Sequence, residues 1–128
     1  MSLAGMIGMT RDYRKVAAFH EADALVLATY EISRGFASEE RFGLQSQLRR
    51  AAISVATNII EGSTRPSLAE YCRFLYISHG SARECAYLFD VSARLGLLPT
   101  PACEKVRHRY DRVCAMLIAL AKALQRLE

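Results

Sequence analysis

Gln47, Arg50, Ser54, Asn58 and Glu61 follow one another at steps of three, four, four and three residues. On a helix that spacing stacks them on one face, about a turn apart. A guanidinium, a carboxylate, two amides and a hydroxyl in a row can build a hydrogen-bonded network or hold a polar ligand. A hairpin folded about Gly62 to Ser67 brings Arg49 and Arg50 near the level of Gly80 on the next helical segment, with Glu84 about one turn away. Gly80, Ser81 and Ala82 are small enough for two helix backbones to approach closely. The favoured reading is a buried structural network of Gln47, Arg50, Ser54, Asn58, Glu61 and Glu84 that fixes helix register or a subunit interface. A ligand pocket on the same face is the functional alternative.

Other chemistry-bearing residues argue against catalysis. A di-iron bundle enzyme needs paired Glu-x-x-His motifs, and this chain contains none. Glu104 and His108, four apart, have the spacing of a solvated ion pair as much as of a chelate. His20 and His79 are isolated, there is no glycine-rich phosphate loop, and Ser, Cys and Lys lack a nucleophile motif. Cys72, Cys85, Cys103 and Cys114 include no CxxC pair. Cys103 and Cys114 would stand ~16 Å apart on one helix, too far for a disulfide. They read as small buried hydrophobes in a reducing cytoplasm. The expectation is a protein that is not an enzyme and takes no metal and no cofactor.

Charge offers a second possibility. The formal net charge is +4, from 17 basic residues, 14 of them Arg, and 13 acidic ones. Lys105, Arg107, Arg109 and Arg112 fall within two helical turns, and Arg11, Arg14 and Lys15 cluster earlier. Such runs are ordinarily solvated faces. Repeated around a symmetric oligomer they become candidate nucleic-acid-binding residues, gripping RNA backbone without reading bases.

The elements that carry these residues are helices, punctuated by Gly and Pro. Val16, Phe19, Asp23, Val26, Tyr30 and Ser33 trace one face of a first helix that ends at Gly35. A connection over residues 35–43 holds a short helical turn capped by Ser38. A second helix runs from Leu44 to Glu61, with Leu44, Leu48, Ala51, Val55 and Ile59 as its core stripe and Gly62 as its stop. Ser67 and Glu70 form a capping box for a third helix that ends at Gly96. Thr100 and Pro101 open a fourth, lined by Val106, Tyr110, Val113, Leu117, Leu120 and Leu124. No stretch alternates with a period of two, so the fold class is all-α. Short connections imply an up-down-up-down antiparallel four-helix bundle over residues 13–128. Residues 1–12 are read as a disordered or cloning-derived N-terminus, with no secretion signal and no membrane span.

The apolar share is 52%, and the first and third helices carry more apolar surface than one core stripe requires. Leu25, Leu27, Ile32, Phe74, Ile77 and Leu88 are the surplus, which implies self-association.

Phe36, Glu39, Leu44, Gln47, Arg49-Arg50-Ala51-Ala52, Ser54, Asn58 and Glu61-Gly62, followed by Glu70, Phe74, Gly80-Ser81-Ala82 and Glu84, resemble the signature of the bacterial 23S rRNA-intervening-sequence proteins. The match spans about Tyr13 to Leu124. It departs at Ala37, where the family often has Pro, and at Ile60, where it usually has Ala. The resemblance implies a homopentameric bundle, encoded in some bacteria by insertions within large-subunit ribosomal RNA genes. It also implies kinship with an accessory subunit of diversity-generating retroelements that binds a reverse transcriptase and nucleic acid. The expected partners are further copies of the chain (pentamer first, dimer second), RNA, and a protein the sequence does not identify.

Overall fold

In the computed structural model, which describes residues 2–127, every regular element is helical. Five α-helices form among the described residues, one more than the sequence pattern indicates: α1 (Leu3–Arg11), α2 (Ala17–Ser33), α3 (Leu44–Ser63), α4 (Leu68–Arg94) and α5 (Thr100–Gln125). Single 3-10 turns occupy Tyr13–Lys15 and Ser38–Glu40. No strand occurs among the described residues.

The additional helix, α1, lies in the segment read from sequence as a disordered N-terminus. Ser2 Oγ accepts the Gly5 N–H at 3.0 Å and caps its start. Its end is tied to the bundle. Arg11 donates to the carbonyls of Ser63 and Arg65, and the Tyr71 hydroxyl donates to the Thr10 carbonyl at 2.7 Å. None of its side chains is fully buried, so these polar anchors hold it more than packing does.

Helices α2 to α5 form the bundle, each beside its chain neighbour, with α5 closing the ring against α2. Contacts fix the antiparallel order. Near the start of α3, Gln47 meets Glu84 toward the end of α4, whereas Gly62 at the end of α3 meets Tyr71 and Phe74 near the start of α4. Cys72 on α4 donates to the Ala121 carbonyl on α5 at 3.5 Å. At the opposite end of that pair Arg107 faces Asp90. Leu25, Leu48, Val55, Ile59, Tyr71, Leu75, Phe89, Tyr110 and Leu117 fill the centre, all fully buried.

Several local readings shift. In α2 the buried stripe is Ala18, Ala22, Leu25, Thr29 and Ser33, rather than the Phe19, Val26 and Tyr30 face, which is only partly covered. Small residues let α2 lie close to its neighbours. Thr29 stays buried because its Oγ1 shares a 2.6 Å hydrogen bond with the Tyr110 hydroxyl. Gly62 does not stop α3. It sits inside the helix and is buried, where a Cβ would fall 2.9 Å from Phe74 Cβ and 3.3 Å from the Tyr71 carbonyl oxygen. The close approach expected at Gly80 therefore occurs at Gly62 instead; a Cβ at Gly80 would meet nothing within 4 Å. Ser67 does cap α4, accepting the Glu70 N–H at 3.1 Å. Gly96, with φ of +70°, supplies the left-handed residue after α4 that other side chains disfavour.

Candidate functional site

The polar face of α3 looks outward along the groove between α3 and α4. Ser54 and Ser81 share a hydrogen bond of 2.9 Å across the groove, and Asn58 Nδ2 donates to Ser54 Oγ at 2.9 Å and to the Ser54 carbonyl at 2.8 Å. Gln47 Nε2 donates to Glu84 at 3.2 Å. Four of the six residues thus meet as two separate pairs, Gln47 with Glu84 and Ser54 with Asn58. Gln47, Arg50, Glu61 and Glu84 are exposed on the single chain. Arg50 and Glu61 form no ion pair among the described residues. Spacing places Arg50 on the same face as Ser54 and Asn58, and on the single chain the half-buried part of that face is Ser54 and Asn58, while Arg50 and Glu61 reach solvent.

Arg49, its neighbour, is the arginine built into the bundle. Its Nε donates to Ser33 Oγ at 2.9 Å and a terminal nitrogen to the Tyr30 carbonyl at 3.3 Å. The same guanidinium lies over the Tyr30 ring, 4.5 Å from its centroid. One helical step separates an arginine that pins α2 to α3 from one that projects into water.

Two clefts flank the start of α3. One, of about 390 Å³, is lined by Phe42, Gln47, Arg50, Ser54, Ser81 and Glu84 among others. Its neighbour, of about 420 Å³, is lined by Tyr30, Arg41, Phe42, Gln45, Arg49 and Arg50 among others. Phe42, Ser46 and Arg50 belong to both and form the ridge between them. Phe42 is 88% exposed, with the Arg41 guanidinium over its ring at 5.4 Å. Glu40, the nearby acid, is already engaged: its carboxylate accepts the Leu44 N–H at 3.3 Å, at the start of α3.

The basic candidates do not share one surface. Arg107 reaches Asp90 on α4 at 3.6 Å. Lys105 and Arg109 line an apolar cleft with Ile32, Ala102 and Val106 on the α2 side. Arg112 is exposed. Nearer the N-terminus, Arg14 bonds Asp12 at 3.0 Å, which holds that carboxyl below its usual range. Arg11 is committed to two carbonyls and to the Tyr71 ring. Lys15 lies beside Met9, Val16 and Met116 at a mostly apolar cleft. Sequence reasoning overlooked Phe42 and Arg41. The available signal was an aromatic residue between Arg41 and the Gly43 that precedes α3, off the stripe of any helix.

Two buried groups are held in their neutral forms. Burial pushes the Cys85 thiol up to about 12 and the Tyr71 hydroxyl up to about 12, so neither supplies an anion near neutral pH. Among the described residues no three His, Cys, Asp or Glu side chains converge on a metal position, and no helix is long and apolar enough to cross a membrane.

Comparison with known proteins points one way. A family model described as 23S rRNA-intervening sequence protein matches residues 14–119. A solved structure, described as a protein with unknown function from the S23 ribosomal protein family of Bacteroides thetaiotaomicron VPI-5482, superposes with a TM-score of 0.75. The two chains are 19% identical, and the alignment covers 82% of this chain and 95% of that one. At that identity the likeness concerns the fold. No curated protein matches.

Proposed function

The chain belongs to the 23S rRNA-intervening sequence protein family, and we propose that it is a non-enzymatic, self-assembling adaptor of the cytoplasm that binds RNA weakly through basic surface residues. A homopentamer is the favoured assembly and a dimer the second. The observation that carries the reading is the apolar surface left outside the core. Tyr76, Ile77 and Tyr87 project from α4, and Leu27 from α2, with Leu27 70% and Tyr87 61% exposed. On α4, Tyr76, Gly80 and Tyr87 are spaced to share one face. A run of this kind on a bundle whose core is already filled supports burial against another copy.

RNA enters as the ligand because the chain is basic and arginine-rich, and because closed assembly multiplies a modest patch. Lys105, Arg109, Arg112 and Lys15 form no ion pair among the described residues and are the basic side chains of the sequence-derived set available for phosphate. A scaffold that binds only protein is the alternative, and salt separates the two. Neutralising phosphates releases counterions, so RNA binding must fall steeply as salt rises. Titration into labelled single-stranded and structured RNA between ~50 and ~200 mM salt therefore tests it. Affinity that collapses across that range fits the RNA reading. No binding at the low end leaves the protein scaffold.

A further inference from the structure

A phenyl ring that folding leaves in water forgoes about 1.5–3 kcal/mol of burial. Phe42 is that ring, 88% exposed on the ridge between two clefts. Its surroundings are cationic: Arg41 sits over the ring, Arg50 lines both clefts, and Arg49 lines the second with Tyr30 beneath it. Two carboxylates stand nearby and keep their charge: Glu40 accepts the Leu44 N–H, and Glu84, at the α4 side of the first cleft, accepts from Gln47. Arg41 and Arg50 have no ion pair among the described residues. Another protein surface would have to supply matching carboxylates as well as an apolar socket for the ring. An unstacked base supplies a flat face for Phe42, and its flanking phosphates supply the charge for Arg41 and Arg50.

We propose that Phe42, Arg41 and Arg50 form a stacking platform for single-stranded RNA, with one base laid on Phe42 and the strand running through the clefts on either side. The proposal rests on the RNA-binding reading above and moves the principal contact from α5 to the ridge at the start of α3. Ser46 lines both clefts with a hydroxyl, while the amide nitrogens of Gln45 and Gln47 are held by the Ser33 carbonyl and Glu84. Duplex RNA keeps its bases stacked on one another and offers the platform only phosphates.

The test is fluorescence anisotropy at ~50 mM salt, with a labelled single-stranded RNA oligonucleotide and its duplex, alongside light scattering of each variant. Phe42→Ala should weaken single-strand binding by about five- to a hundredfold and leave duplex binding nearly unchanged. Phe42→Tyr, which keeps the stacking face, should restore affinity. Arg50→Gln should reduce the slope of log affinity against log salt by about one phosphate. If Phe42→Ala leaves affinity unchanged while Lys105→Glu with Arg109→Glu abolishes it, RNA binds through α5 and the platform is refuted. If the wild-type protein binds neither probe, the platform and the RNA reading fall together. Disruption of the assembly by Phe42→Ala would make the ridge a contact between copies and refute the platform as well.

Discussion

The same one-methyl change at two glycines should move stability in opposite directions. At Gly62 an alanine Cβ would stand 2.9 Å from Phe74 Cβ, 3.1 Å from a Tyr71 ring carbon and 3.3 Å from the Tyr71 carbonyl oxygen. Two of those neighbours are backbone or Cβ atoms that no rotamer change can withdraw, so α3 and α4 must separate by tenths of an ångström. Such overpacking costs about 1–3 kcal/mol, against roughly 1 kcal/mol that alanine returns through helix propensity. Gly62→Ala should therefore destabilise by up to about 2 kcal/mol. At Gly80, mid-helix and exposed, the new methyl meets nothing within 4 Å. Gly80→Ala should stabilise by about 0.8–1 kcal/mol. The unfolded-state contribution is alike in both variants and cancels in their difference, which should be the overpacking cost alone, about 1–3 kcal/mol. Urea denaturation followed by circular dichroism, at one fixed protein concentration because assembly couples stability to concentration, reads that difference directly. Equal shifts of the same sign would refute the claim that the α3–α4 crossing is closest at Gly62.

Three further outcomes follow from named contacts. Arg49→Ala should cost about 2–3 kcal/mol by removing two charge-assisted bonds and the Tyr30 contact. Arg50→Ala, losing no bond within the chain, should stay within about 0.5 kcal/mol in the unassembled state; thermal melts of the pair compare them. Tyr110→Phe should cost about 1–2 kcal/mol by stranding the buried Thr29 hydroxyl, and adding Thr29→Val should recover part of that loss in a double-mutant cycle. In alkaline solution the unfolded chain ionises Cys85 from an ordinary 9.0 and Tyr71 from 10.0, whereas in the fold each waits until about 12. The unfolded state thus loses protons first. Stability should hold below about pH 9 and decline between 9 and 12, each group adding a slope approaching ~1.4 kcal/mol per pH unit. Urea midpoints that stay flat from pH 9 to 11 would contradict the burial of these groups.

Periodicity made most of the bundle legible, and its failures have physical causes. The α3 stripe of Leu48, Ala51, Val55 and Ile59 and the α5 stripe of Val106, Tyr110, Val113, Leu117 and Leu124 are buried as their spacing indicates, because large apolar residues carry a strong signal. The α2 face differs because Ala18, Ala22 and Thr29 carry almost none, and Leu25, which reads as surplus beside Phe19 and Val26, is the large residue that enters the core. Helix α1 escaped notice because its order depends on Arg11 and on Tyr71, some sixty residues away in sequence. The polar face of α3 was legible as a face, since spacing states which residues share a side. It does not state what that side meets, and on the chain by itself Arg50 and Glu61 meet water. Phe42 lies in a connection, where no periodicity operates.

A bundle that serves as a subunit declares itself by its mass in solution. Multi-angle light scattering behind size exclusion, on the full chain at micromolar concentration, should give one species near five times the 14.3 kDa chain mass. A mass of two chains would keep self-association and refute the pentamer. A stable 14.3 kDa monomer, unchanged on concentration, would refute self-association altogether.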